Sequence, residues 1–204
     1  MINNRSQVFR FTVEHILLVA IAMAVAIALG VPLGILLARR LGLRRWVLGA
    51  TNIIQTVPSL ALFGFLIPVP FIGGIGNKTA VVALVLYALL PVIRNTFTGI
   101  TGVDRAVVEA ARGMGMTDRQ LLWHVELPLA LSVILAGIRI ATVISIGTAT
   151  IAAAIGAGGL GTFIFRGVAS VNNSVILAGA IPAAALAIVA DLGLGRAEHQ
   201  WAVR

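Results

Sequence analysis

Apolar runs too long for a soluble core decide what this chain can fold into. A helix rising 1.5 Å per residue needs about 20 residues to cross a bilayer core, and 18 or more with few charges mark a candidate span. Five such windows can be read, at residues 13–38, 47–67, 79–100, 129–153 and 174–192. Composition agrees: 59% of residues are hydrophobic before glycine is counted, whereas soluble domains hold about 45–50% with glycine included. The first window follows Arg5 and Arg10, as a secretory signal would. It exceeds the roughly 7–15 apolar residues of a signal core and ends at Arg39 and Arg40 rather than at small residues, so it reads as a true span.

Basic residues set the expected sidedness, because cationic connections stay cytoplasmic. Arg39, Arg40, Arg44 and Arg45 follow the first span, Arg105, Arg112 and Arg119 follow the third, and Arg196 and Arg204 lie in the tail. All of these fall on one side, against Arg5, Arg10, Lys78 and Arg166 on the other. The N-terminus is therefore expected outside and the C-terminus inside. Trp46, Trp123 and Trp201 sit near the same cytoplasmic boundaries, where indoles favour the headgroup layer. The formal charge of +8 is mostly this topology bias, so no nucleic-acid partner is expected. The absence of cysteine excludes disulfides and thiolate metal sites, and no metal is expected.

Two glycine-rich stretches imitate nucleotide sites. Gly156, Gly158 and Gly161 spell Gly-x-Gly-x-x-Gly, which binds a pyrophosphate only between a strand and a helix N-terminus. Here it follows a membrane span, and a tightly packed or re-entrant turn is the better reading. In "GGIGNKT", Gly73 to Thr79, Asn77 interrupts the Gly-Lys pair and Phe71 stands where the first glycine of a phosphate-binding loop belongs. ATP is not expected to bind this chain. His15, His124 and His199 are scattered and read as interfacial, and no nucleophile–base set emerges, so no enzyme is indicated.

The polar exception is Asp104 to Pro128, which carries Glu109, Arg112, Asp118, Arg119, His124 and Glu126. Asp104 can cap a first short helix whose small apolar face is Ala106, Val107, Ala110, Ala111 and Met114. Gly113 and Gly115 loosen the chain. Thr117 and Gln120 form a capping-box pattern for a second helix, expected to end before the Leu127-Pro128 step that opens the fourth span. A cytoplasmic helix pair with small residues is shaped for close approach by a partner, and Glu109 offers it one charge. An amphipathic loop lying on the headgroups fits the same residues equally well.

Glu109-Ala110-Ala111, Gly115 six residues after the glutamate, and Leu127-Pro128 at positions 18 and 19 after it resemble the EAA signature of ABC importer permeases. Val125 stands where the signature usually has isoleucine. The resemblance implies a coupling segment, carried by Glu109, Ala110, Ala111, Gly113, Gly115, Leu127 and Pro128, seated in a cleft of an ATP-binding subunit. Residues 52–68, 83–100, 108–117 and 136–167 further resemble permeases of the osmoprotectant family, which carry glycine betaine, carnitine, choline and related quaternary amines. This implies a second permease subunit, identical or homologous, two cytoplasmic ATPases that hold ATP and magnesium, and a binding protein. The chain stops twelve residues after the fifth window. That binding protein is therefore expected to be separate, with the aromatic cage for a quaternary ammonium on it.

Polar residues within the spans are the candidates for a substrate route. Asn52, Gln55, Thr56 and Ser59 are spaced i, i+3, i+4, i+7 and form one stripe, and Pro58 should bend that helix and free carbonyls for a neighbour to satisfy. Arg139, Thr142, Ser145 and Thr148 are spaced by threes on the fourth span. Asp191 or a residue of a second subunit is the candidate partner of Arg139. Were that guanidinium to line the route, it would favour zwitterions such as betaine over a net cation such as choline. Arg94 should snorkel to the inner surface.

The expectation is one all-α polytopic membrane domain over 1–204, with about five spans and a cytoplasmic coupling segment at 104–128, resembling a type I ABC importer permease. A permease for methionine or another amino acid shares the same logic. A secondary transporter or channel would need no ATPase, and the EAA spacing speaks against it.

Overall fold

The computed structural model describes residues 2–202, with side chains placed for 6–40 and 42–200. Arg204 and the side chains of Arg5 and Trp201, used above for sidedness, lie outside the described residues. No strand occurs among the described residues. Four of the five apolar windows fall on long helices: α1 (Ile2–Arg39), α4 (Asn77–Thr101), α7 (Leu127–Ile151) and α9 (Asn173–Ala202).

The window at 47–67 departs from a single straight span. Helices α2 (Leu41–Thr56) and α3 (Ser59–Leu66) meet at an angle of 103°, with Val57 and Pro58 between them. Together the two pass for one crossing, giving up to five. Pro58 has no N–H and its ring opposes continuation of the preceding helix. Backbone groups freed at such a break need partners in a medium without water. The Tyr87 hydroxyl of α4 supplies one by donating to the Val57 carbonyl, while Gln55 Nε2 donates to the Tyr87 carbonyl at 2.8 Å.

Close backbone approach fixes the order of the helices. Gly30 and Gly34 of α1 face Val92 and Thr96 of α4, so the two helices run parallel and α2–α3 brings the chain back between them. Gly99 faces Ala130 and Gly137 faces Pro91, so α7 runs antiparallel to α4. Gly195 of α9 lies against Arg139, while Gly179 packs on Leu160 and Phe163 just beyond the other end of α7, so α9 runs antiparallel to it. Helix α4 is the axis, with 67% of its apolar window buried, and α9 is peripheral at 11%. A core of Leu18, Ala22, Ala26, Ala83, Leu84 and Ala149 joins α1, α4 and α7.

The near end of this bundle gathers the C-termini of α1, α4 and α9 with α5 (Arg105–Gly113) and α6 (Asp118–Leu121). The second short helix does not stop before Leu127. It passes through a π-turn, Leu122–Glu126, directly into α7. The Leu127 N–H reaches back five residues to the Leu122 carbonyl. The widened turn lets the helix take Pro128, whose ring would otherwise press on the carbonyl four residues earlier.

At the far end the Gly-x-Gly-x-x-Gly stretch is a tight turn. A 3-10 turn (Ala152–Ile155) precedes it, and Gly156, Gly158 and Gly159 take φ of 78°, 74° and 71°. Helix α8 (Gly161–Ala169) follows. His15, expected at an interface, is instead 1% exposed within α1, and its Nε2 donates to the Ile146 carbonyl at 3.1 Å. Glu14 accepts from the Gly159 N–H at 3.3 Å beside it, so α1 pins the glycine turn.

The glycine contacts carry a direct prediction. A Cβ at Gly34 would stand 2.9 Å from the Ile93 carbonyl, whereas one at Gly42 meets nothing. Gly34→Leu should cost about 1–3 kcal/mol by overpacking, read as a lowered midpoint in thermal unfolding of the detergent-solubilised protein. Gly42→Leu should leave that midpoint nearly unchanged.

Candidate functional site

The polar segment is built by local hydrogen bonding. Asp104 Oδ1 accepts from the Ala106 N–H at 2.9 Å and starts α5. The helix ends where Gly115 turns to φ 83°, a conformation that other residues adopt only with strain. Thr117 and Gln120 then close a reciprocal capping box around the start of α6. Of the expected apolar face only Ala111 is buried, together with Leu121 of α6. Ala106, Val107, Ala110 and Met114 remain exposed, as do Glu109 and Gly113. No atom stands near a Cβ built at Gly113 or Gly115.

Glu109 is distinguished by what it lacks. The chain has seven acids. Six of them are engaged within it: Asp104 as a cap, Glu14 with Arg10, Asp118 with Arg112, Glu126 with Arg39, and Asp191 and Glu198 with Arg139. Among the described residues Glu109 alone has no such partner.

The segment is anchored behind its exposed face. Glu126, in the π-turn, is 4% exposed and faces the last residue of α1. Arg39 Nη1 donates to Glu126 Oε1 at 3.0 Å while Nη2 donates to Oε2, a two-pronged bond. Leu127 is half-buried and Pro128 exposed just beyond it. Arg39 was read above as the end of the first span and a sidedness signal, with no partner assigned. With so few acids in the chain, an acid adjoining a span boundary was itself a pointer to such a pair.

The expected route residues separate. Ser59 lies past the break, so the stripe is not continuous on one helix. Gln55, Thr56 and Ser59 line a cavity of about 380 Å³ with Tyr87, Ile144 and Thr148. Asn52 lines another of about 180 Å³ toward the near end, with Arg44, Arg94, Phe97 and Thr98. The two succeed one another along α2 and α4 as a polar groove, which sequence reasoning missed because Arg44, Tyr87 and Arg94 lie outside the stripe.

Only Thr148 of the α7 series reaches this groove. Thr142 donates to its own helix at Ile138, and Ser145 is fully buried with its hydroxyl toward the Met23 sulfur at 3.6 Å. Arg139 points to α9, donating through Nε to Asp191 at 2.6 Å, through Nη2 to the other oxygen of Asp191 at 3.1 Å and through Nη1 to Glu198 at 3.2 Å. Two carboxylates thus neutralise it away from the groove. Spacing by threes drifts around a helix of 3.6 residues per turn, which is why the series faces α9 at one end and α2–α3 at the other.

The whole arrangement is that of the membrane subunit of a type I ABC importer. A chain of the inward-facing MetNI methionine ABC transporter superposes with a TM-score of 0.83, covering 97% of each chain at 24% identity. The model for "binding-protein-dependent transport system inner membrane component" matches residues 30–199, and the chain belongs to that family of multi-pass inner-membrane permeases. It is 48% identical over 189 residues to the carnitine transport permease protein OpuCB of Listeria monocytogenes, covering 93% of this chain and 85% of the relative. It is 47% identical over 197 residues to the glycine betaine/carnitine/choline transport system permease protein OpuCD of Bacillus subtilis, covering 96% and 85%.

The Arg39–Glu126 bond should hold the segment to α1. Glu126→Gln should cost about 2 kcal/mol, below the roughly 3–5 of a fully buried pair because the Arg39 side chain is 33% exposed. Thermal unfolding of the solubilised protein reads the loss, and faster proteolysis between residues 104 and 121 localises it. The swapped pair Arg39→Glu with Glu126→Arg should regain part of both.

Proposed function

We propose that this chain is the permease subunit of an ATP-driven importer for osmoprotectants of the quaternary-amine class, such as glycine betaine, carnitine or choline. Near-half identity over nearly the whole chain to permeases bearing those substrates in their names supports the cargo. The single structural observation that carries the mechanism is Glu109, exposed and, among the described residues, the one acid without an intrachain partner, on a segment that is capped at both short helices and anchored through Glu126.

In this reading the near end faces the cytoplasm, and Glu109, Ala110, Ala111, Gly113 and Gly115 dock on one of two ATP-binding subunits. Leu127 and Pro128 follow the π-turn through which motion enters α7. ATP and magnesium belong to those partners, and a separate external binding protein delivers substrate. A second permease, identical or homologous, completes the membrane portion. The small residues of α5 let a partner backbone come close, and Glu109 supplies a charge-assisted bond to an arginine or to backbone donors. The chain itself contributes a route and a lever.

Uptake of labelled glycine betaine, carnitine, choline, proline and methionine by cells with and without the gene tests the cargo. Loss of quaternary-amine uptake is expected, and loss confined to methionine would replace the cargo while keeping the permease. For the lever, Gly115→Val should reduce transport at least tenfold, because a β-branched residue strains at φ 83°. Its level in the membrane should stay normal, and normal transport by this variant would sink the coupling role.

A further inference from the structure

The near-end cavity between α2 and α4 presents two guanidinium groups and no carboxylate. Arg44, Asn52, Arg94, Phe97 and Thr98 line it, and its volume is about 180 Å³. Arg44 lies over the Phe97 ring, 4.6 Å from its centroid. Among the described residues Arg94 has no hydrogen-bond or ion-pair partner, while Arg39 and Arg139 are both held by carboxylates. An arginine left unpaired in a polar cavity, beside an amide and a hydroxyl, is a receptor for an oxyanion. The Phe97 face steadies the Arg44 guanidinium beside the cavity.

We propose that Arg44 and Arg94 form a binding station for the carboxylate of a zwitterionic substrate at the near end of the groove. The inference rests on the osmoprotectant reading above and deepens it. Substrate passing Gln55, Thr56, Ser59 and Thr148 meets the station next along α2 and α4. Arg94 and Arg44 donate to the carboxylate, and Asn52 and Thr98 supply neutral hydrogen bonds. A net cation lacking the carboxylate gains nothing from the arginines and is repelled by both. Discrimination between zwitterion and cation thus resides at this station and not at Arg139, whose charge is already matched.

The test uses the complete transporter, with its ATPases and binding protein, in proteoliposomes. Glycine betaine and choline are each measured at saturating binding protein, so capture is the same for every permease variant. Arg94→Gln and Arg44→Gln should each lower the glycine betaine-to-choline rate ratio about tenfold, the scale of one charge-assisted hydrogen bond. Arg94→Lys should keep most of the ratio. Equal loss of both substrates, with ATPase activity and assembly intact, would overturn the station. So would a loss that added anionic lipid restores without changing the ratio, since the guanidiniums would then be anchors for lipid phosphate. If the glutamine variants do not assemble, Thr98→Val gives the answer: a ratio lowered about threefold supports the station and an unchanged one overturns it. Failure of the unaltered complex to carry either amine would instead sink the osmoprotectant reading, and this station with it.

Discussion

A single hydroxyl braces the groove along α4. In hydrocarbon an unpaired carbonyl is too costly to leave exposed, so a helix can break there only where something nearby donates to it. Tyr87 does this for Val57, and Gln55 returns the contact to the Tyr87 backbone. The break at Pro58 is therefore held at a fixed angle against α4. Without the brace α2 and α3 would have reason to straighten or slide, and the cavities along α4 would lose one wall.

The same economy governs charge. Arginines within or beside the spans are neutralised where they serve as joints: Arg39 by Glu126 between α1 and the π-turn, Arg139 by Asp191 and Glu198 between α7 and α9. The first joint ties to the bundle a segment that has little core of its own and leaves its exposed face free to differ in chemistry from everything behind it. The second holds the peripheral α9 against the middle of α7.

Much of the architecture was legible because hydropathy is a bulk property. Four helices lie where apolar windows place them, and Asp104 and the Thr117–Gln120 pair cap as their residue types dictate. What escaped depended on phase and on distant partners. Ser59 shares a helical stripe with Asn52 only if the helix continues, and Pro58 ends it. The π-turn is invisible to composition, since nothing in Leu-Trp-His-Val-Glu departs from an ordinary helix. His15 was read as interfacial because the three histidines are scattered in sequence, whereas a carbonyl of α7 and the glycine turn enclose it here. Arg139 had its partner correctly nominated in Asp191, but its direction could not follow from spacing alone.

The π-turn also keeps an angular phase. Each residue of an α-helix advances about 100° around the axis, and the wide turn at Leu122–Glu126 holds one residue more than an α-turn would. Either kind of turn carries the chain once around the axis, so the extra residue is absorbed and α6 keeps the bearing that an unbroken helix would give it. Loss of one residue there would close the wide turn to an ordinary one and leave the exposed glutamate on its side of the axis, whereas loss of two would swing it by about 100°. The wide turn thus works as slack in the helix, a place where chain length can change by one without turning the face beyond it.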